Sequence, residues 1–355
     1  MATTMTQQQI MFFLSLSANA GSDIKGAGIG SKVNVETEKN IKQLNAQSGE
    51  NWRIVWGAGL YQKTVGGVID NLMYAFFNPD YMGKPTYYIS VAGTNPTSIF
   101  DWLTEDLEVS STVQWPYNTP KARISKGISI GLHKLVEMQP EAGLPGAGMT
   151  LNEFLSKNLS ECDEYTLITG GHSLGGALSP LVALWLKDTQ SAWDKNAKVT
   201  DFQSWPFAGQ SQGLESFATY YNSRIPNTHR TFNSLDLVPR AFNKITLKAG
   251  ETQYAPEITS DTIDLLIYLR LYQIGSLEYT QIADTSNELT GELNKKIITS
   301  IFGAVNYFKQ MIYQHVEAYI VLLDVNYDTV QIQKDADVIL RKLIAYAKKH
   351  AKDLS

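Results

Sequence analysis

Residues Gly171-His172-Ser173-Leu174-Gly175 place a serine at the centre of a GxSxG pentapeptide. An apolar run, Tyr165 to Thr169, precedes it, and a long apolar helical pattern, Ala177 to Leu186, follows. That order, strand then sharp turn then helix, is a nucleophile elbow. So tight a turn brings strand and helix together, so the positions two before and two after the serine must be tiny. In return the hydroxyl is lifted clear of the sheet edge, where a base and a substrate can reach it. A bare GxSxG arises by chance about 0.1 times in a chain of this size, so the context carries the reading. The competing readings are a Gly-rich loop and a phosphate cradle. A phosphate loop calls for GxGxxG or a lysine after the last glycine, and no lysine follows until Lys187.

A serine hydroxyl is a weak nucleophile until a base takes its proton, and the base needs an orienting acid. In this arrangement the chain order is serine, acid, histidine. Of the five histidines, His133 precedes the serine, and His172 adjoins it and should leave the turn in another direction. His229 comes too early to leave a strand-end acid before it, and His350 sits among the lysines of a last helix. His315 remains, where an apolar helical run meets the expected closing strand; the plainer alternative is a hydrogen-bonded interior histidine. Between Ser173 and His315, Asp188 and Asp194 belong to the end of the elbow helix, Asp261 and Asp264 to another helix, and Asp284 to a polar loop. Asp236 alone follows directly on a strand, Thr228 to Asn233, and leads into Leu237-Val238-Pro239. A carboxylate so held can accept the imidazole Nδ1–H in one tautomer; otherwise Asp236 only initiates a turn.

The oxygen of a tetrahedral intermediate needs preorganised donors. The backbone N–H of Leu174, next after the serine, is one candidate. The second is Thr94, in Val91-Ala92-Gly93-Thr94-Asn95 at the end of a buried strand, against the alternative of a plain Gly-Thr-Asn turn. Directly after it, residues 96–108 form a candidate lid. As a helix this segment puts Phe100, Leu103 and Leu107 on one face and Asp101, Glu105 and Glu108 on another. A surface helix packed on the core would show the same pattern.

The elements that must position these groups read as alternating strands and helices. Strands are expected at Trp52–Tyr61, Thr86–Gly93, Tyr165–Thr169, Lys198–Phe207 and Thr228–Asn233, with a closing strand at Tyr319–Val325. Helical patterns fall at Ile124–Met138, Ser173–Lys187, Leu214–Asn222, Thr259–Tyr272, Leu293–His315 and Asp335–Lys352. The alternation predicts an α/β fold with a mostly parallel sheet flanked by helices, and catalytic groups at the carboxyl ends of strands. No linker or composition break divides the chain, so residues 1–355 read as one enlarged domain, with a helical insertion over 258–312.

The 355 residues carry a net charge of −5, which draws the chain to neither nucleic acid nor anionic lipid. One cysteine, Cys162, permits no intrachain disulfide and no thiolate metal site, and no cofactor motif or metal-ligand cluster is evident. No apolar stretch is long enough for a transmembrane anchor. Gln7 to Ala20 is expected to be a first amphipathic helix of the fold. The alternative is a signal peptide, for which Ile10 to Leu16 is short and lacks a preceding Lys or Arg. Without an evident cleavable signal, the pattern suits cytoplasmic residence or another route of secretion.

These residues resemble the class 3 (fungal-type, Rhizomucor-like) lipases. Gly171 to Gly176 is similar to that family's GHSLGG elbow, and Ser98-Ile99-Phe100-Asp101-Trp102-Leu103 to Leu107 resembles its lid helix. Lys126-Gly127 resembles its VHxGF segment, with Ile128 in place of the phenylalanine, and Pro206-Phe207-Ala208-Gly209 through Ala218 resembles its FGxPrxGnxxFa stretch. Asn233 to Arg240, NSLDLVPR, is similar to its NxxDxVPr acid motif, and His315 with Tyr319 to its HxxxY ending. The resemblance spans roughly residues 52 to 325, in order. It implies an α/β-hydrolase fold and carboxylic ester hydrolysis through Ser173, Asp236 and His315, with Thr94 and Leu174 at the oxyanion hole. The implied partners are an ester or lipid substrate and a transient lipid interface. A phospholipase A1 or a feruloyl esterase would use the same scaffold, and a noncatalytic lipase-like binding protein would need a missing triad member or a blocked oxyanion hole. Three departures stand out: Ala92 replaces the usual arginine before the oxyanion glycine, the disulfides of secreted fungal members cannot form, and 79 residues separate Asp236 from His315. Together they suggest a bacterial-type branch with an altered acyl pocket.

Overall fold

The computed structural model describes residues 5–21, 24–26, 28–63, 69–93, 109–117, 121–159, 161–283 and 287–327. The expected first helix is α1, Gln7–Ser17. A capping box starts it: the Thr6 hydroxyl accepts the Gln9 N–H, and the Gln9 carboxamide accepts the Thr6 N–H at 2.7 Å. It is not amphipathic in place, because every residue from Ile10 to Ser17 is buried. Tyr88 explains part of that burial, since its hydroxyl meets Ser15 Oγ at 2.6 Å and donates to the Met11 carbonyl at 2.9 Å.

Helix α2, Ile29–Ser48, precedes β1, Arg53–Tyr61, β2, Asn71–Tyr81, and β3, Lys84–Val91. Met82 and Gly83, both at positive φ, turn β2 into β3 as a two-residue hairpin. A small antiparallel pair follows, β4 at Thr112–Gln114 and β5 at Arg123–Ser125. Next come α3, Lys126–Glu137, α4, Leu151–Asn158, β6, Tyr165–His172, and α5, Leu174–Asp188. All of β6 is buried, and so is α5 from Gly175 to Leu186 on every side. A strand apolar throughout and a helix apolar all round belong at the centre of a parallel sheet and its covering layer.

Beyond them lie β7, Val199–Phe207, β8, Gly213–Leu214, α6, Glu215–Arg224, β9, Thr231–Asn233, and α7, Lys244–Lys248. The last described elements are α8, Asp261–Ile274, β10, Tyr279–Thr280, β11, Asn287–Leu289, α9, Gly303–His315, and α10, Glu317–Leu322. Among the described residues the main sheet runs β1-β2-β3-β6-β7-β9-β11. It is antiparallel at β1 to β3 and parallel from β3 onward. The carboxyl ends of β3, β6, β7 and β9 therefore open on one edge. This is the α/β-hydrolase arrangement, with helices flanking a mostly parallel sheet.

One expected element differs in type. Tyr319 to Val325 does not close the sheet as a strand; it forms α10 and the turn after it. Tyr319, Ile320 and Leu323 are buried while Val321 is 67% exposed, a helical rather than alternating pattern. The outer edge of β9 is already taken by β11, whose sequence, Asn-Glu-Leu, carries no strand signal. The segment read as a helical insertion holds α8 and most of α9, but β10 and β11 as well. Helix α9 begins only at Gly303, later than the apolar pattern from Leu293 suggested. Strand β2 and helix α2 had no counterpart in the sequence reading. The candidate lid, 96–108, and the last helix, 335–352, lie outside the described residues.

Candidate active site

Ser173 stands between β6 and α5 with φ 63° and ψ −126°, a backbone conformation that residues with a side chain rarely adopt. Its N–H donates to the Phe207 carbonyl at 3.0 Å, and its carbonyl accepts the Ala177 N–H at 3.1 Å. The flanking glycines are sterically required. A Cβ on Gly171 would strike the Val91 carbonyl and the Gly175 backbone, and one on Gly175 would strike Val91 and come within 2.8 Å of the Ala92 carbonyl carbon. The turn and the end of β3 are thus backbone against backbone, with Ala92-Gly93 beside the serine.

His315 is the last residue of α9 and is fully buried. Its Nε2 lies 2.7 Å from Ser173 Oγ, and its Nδ1 lies 2.8 Å from Asp236 Oδ2. A carboxylate only accepts, so Nδ1 carries the proton; Nε2 then presents its lone pair to the serine hydroxyl. The carboxylate is held on all sides. Asp236 Oδ1 accepts the Val238 N–H at 3.0 Å, and Oδ2 accepts the Tyr319 phenol at 2.9 Å. The loop that carries it is tied down by Asn233, whose side-chain oxygen accepts the Leu235 N–H at 3.0 Å. The Asn233 Nδ2 donates to the carbonyl and side-chain oxygens of Gln314, at 2.9 and 2.7 Å. Chemically, the serine hydroxyl faces an imidazole oriented by a buried carboxylate, the arrangement needed to remove the hydroxyl proton during attack.

The other histidines are elsewhere. His229 stacks on Trp205 at 4.0 Å, bonds Asn227 Oδ1 through Nε2 at 2.7 Å, and burial depresses its pKa. His133 is exposed near Glu137, and His350 lies outside the described residues. Leu174 opens α5, so its N–H has no acceptor within the helix and is available beside the serine. Thr94, Phe100, Trp102, Leu103 and Leu107 are outside the described residues. Among those described, no three metal-binding side chains cluster, and no helix is long and apolar enough to cross a membrane.

Two contributors escaped the sequence reading. His172 turns inward, and its Nε2 meets the His315 carbonyl oxygen at 2.8 Å. Tyr319 was matched to a motif but had no role, because its bond to Asp236 joins positions 83 residues apart. The motif match it shares with His315 was the available signal.

Residues 88–245 match the family described as Lipase (class 3). The solved structure described as M37 lipase superposes with a TM-score of 0.82 at 30% identity, covering 95% of this chain and all of that one. The chain belongs to the class 3 lipase family. With the family come the α/β-hydrolase fold and serine-dependent carboxylic ester hydrolysis. Lipase II from Rhizopus niveus is similar at 17% identity and TM-score 0.47, over 68% of this chain and 77% of its own. The native Rhizomucor miehei lipase propeptide complex gives 19% and 0.45, over 68% and 67%. Among curated proteins none matches.

Proposed function

We propose that Ser173, His315 and Asp236 are the catalytic triad of a lipase that hydrolyses carboxylic esters of lipids, triacylglycerols first among them. The observation that carries this reading is the unbroken pair of hydrogen bonds through one imidazole, 2.7 Å to the serine and 2.8 Å to the aspartate. Ser173 Oγ attacks the ester carbonyl as its proton passes to His315 Nε2. Asp236 holds the Nδ1–H and stabilises the imidazolium that forms. The carbonyl oxygen, now anionic, accepts the Leu174 N–H; a second donor from Thr94 rests on the sequence alone. Collapse breaks the bond to the alcohol, which leaves with the Nε2 proton, and an acyl-serine remains. Water, deprotonated by the same nitrogen, then releases the acid and restores the serine.

Hydrolysis of a short p-nitrophenyl ester, with and without a serine-directed phosphonate, tests the chemistry. Turnover abolished by stoichiometric phosphonate on Ser173 is expected; full turnover after labelling would exclude the serine. A panel of triacylglycerols, phospholipids and feruloyl esters tests the substrate class, with the highest kcat/KM expected on triacylglycerols. A preference for phospholipid or feruloyl ester would replace that assignment without touching the triad.

A further inference from the structure

The residue before the nucleophile has a buried, chemically capable side chain that the proposed mechanism does not use. His172 closes β6, is 4% exposed, and its ring packs among Phe12, Tyr319 and His315. Phe12 of α1 packs edge-on at 6.2 Å and Tyr319 at 5.5 Å, while the His315 ring lies 4.9 Å away. Its ring bonds through Nε2 to the His315 carbonyl oxygen, at 2.8 Å. A carbonyl only accepts, so Nε2 must carry the proton and donate.

That carbonyl sits at the C-terminus of α9, where the last carbonyls have no donor within their own helix. Val316, at φ −125° and ψ −71°, breaks the helix there before α10 begins. His315 thus stands at a backbone corner. Two consecutive residues of one rigid turn grip it: Ser173 meets its ring, and His172 meets its main chain.

We propose that His172 is a positioning residue for the triad, fixing the corner that carries His315 so that Nε2 of the base stays on the nucleophile. The inference rests on the triad reading above. The ring's other property fits the task. Desolvation first, and the neighbouring His315 second, hold the His172 pKa well below 6.5, so it stays neutral when His315 becomes an imidazolium 4.9 Å away. A lysine or arginine donor at this place would oppose that charge. A phenylalanine would fill the space but leave the carbonyl without a donor.

Two variants and one spectrum test it. His172→Phe keeps a ring and removes the donor; His172→Gln restores an N–H at similar reach. On a short p-nitrophenyl ester, His172→Phe should lose kcat by about ten- to hundredfold with KM nearly unchanged, the effect of misplacing a catalytic group by roughly 1 Å. His172→Gln should recover most of the loss. Parental kcat in a folded His172→Phe, or no recovery in His172→Gln, overturns the proposal. Nitrogen-15 histidine spectra of the unmutated chain near pH ~6 decide the matter if neither variant folds. A neutral Nε2–H tautomer for His172 supports the proposal; an imidazolium or an Nδ1–H tautomer overturns it. The spectrum does not depend on turnover, whereas failure of the triad reading itself would show as full activity in Ser173→Ala.

Discussion

Tyr319 donates its phenolic hydrogen at 2.9 Å to Oδ2 of Asp236, the carboxylate oxygen that also accepts the Nδ1–H of His315. The phenol oxygen in turn accepts the Asn233 N–H at 2.9 Å, so one buried hydroxyl joins the acid to the strand end before it. Burial, reinforced by the Asp236 charge, pushes the phenol well above its ordinary pKa and keeps it a donor. Replacing Tyr319 with Phe preserves the ring, frees one carboxylate lone pair and strands a buried N–H. Stability should fall by about 1–3 kcal/mol. Turnover should fall by roughly tenfold as the acid loosens. Urea midpoints and kcat check this, and parental values for both would show that the bond is dispensable.

Removal of any one side chain of the proposed triad should nearly abolish turnover. Ser173→Ala, His315→Ala and Asp236→Ala are each expected to lower kcat by roughly 10⁴- to 10⁶-fold, and the Ser173, His315 double change should cost little more than either single. His229→Ala should remain near the parent, because His229 is engaged with Trp205 and Asn227 instead. An inactive but folded His229→Ala would break the assignment of the base.

Gly175→Ala tests the elbow's packing. The added Cβ would meet backbone atoms of Val91, Ala92 and Gly93, none of which can swing aside as a flexible side chain would. A loss of about 3 kcal/mol is expected, together with displacement of the serine. Thermal unfolding measures it; an unchanged melting temperature would contradict the close approach.

Acid should destabilise the fold through His172. Its folded-state pKa lies well below 6.5, chiefly through desolvation, so the unfolded chain binds a proton that the folded chain refuses. The contribution is intact above about pH 6.5 and is lost as pH falls below it, with a slope approaching about 1.4 kcal/mol per pH unit. His172→Phe should show a shallower acid limb in urea midpoints. Identical slopes in the two proteins would mean that His172 is not held neutral by the fold.

Much of the site was legible in the chain itself because the constraints were local. A sharp strand-to-helix turn demands glycine on both sides of its apex, and residues 171 to 175 announce it. Asp236 stood out because a strand and a proline bracket it, and His315 because no other histidine had a position compatible with chain order. The long buried runs of β6 and α5 were equally plain. Contacts across the chain were not. Strand β11 exists because β9 had an open edge, and no property of Asn287-Glu288-Leu289 advertises that. The apolar run that reads as a closing strand is instead α10, which is what lets Tyr319 reach Asp236. His172 meets His315 across 143 residues of chain. Local sterics and periodicity, carried by neighbours in sequence, determine which residues are equipped for the chemistry. Edge pairing and hydrogen bonds between distant segments are settled only when the core closes, and they decide which residues hold that equipment in place.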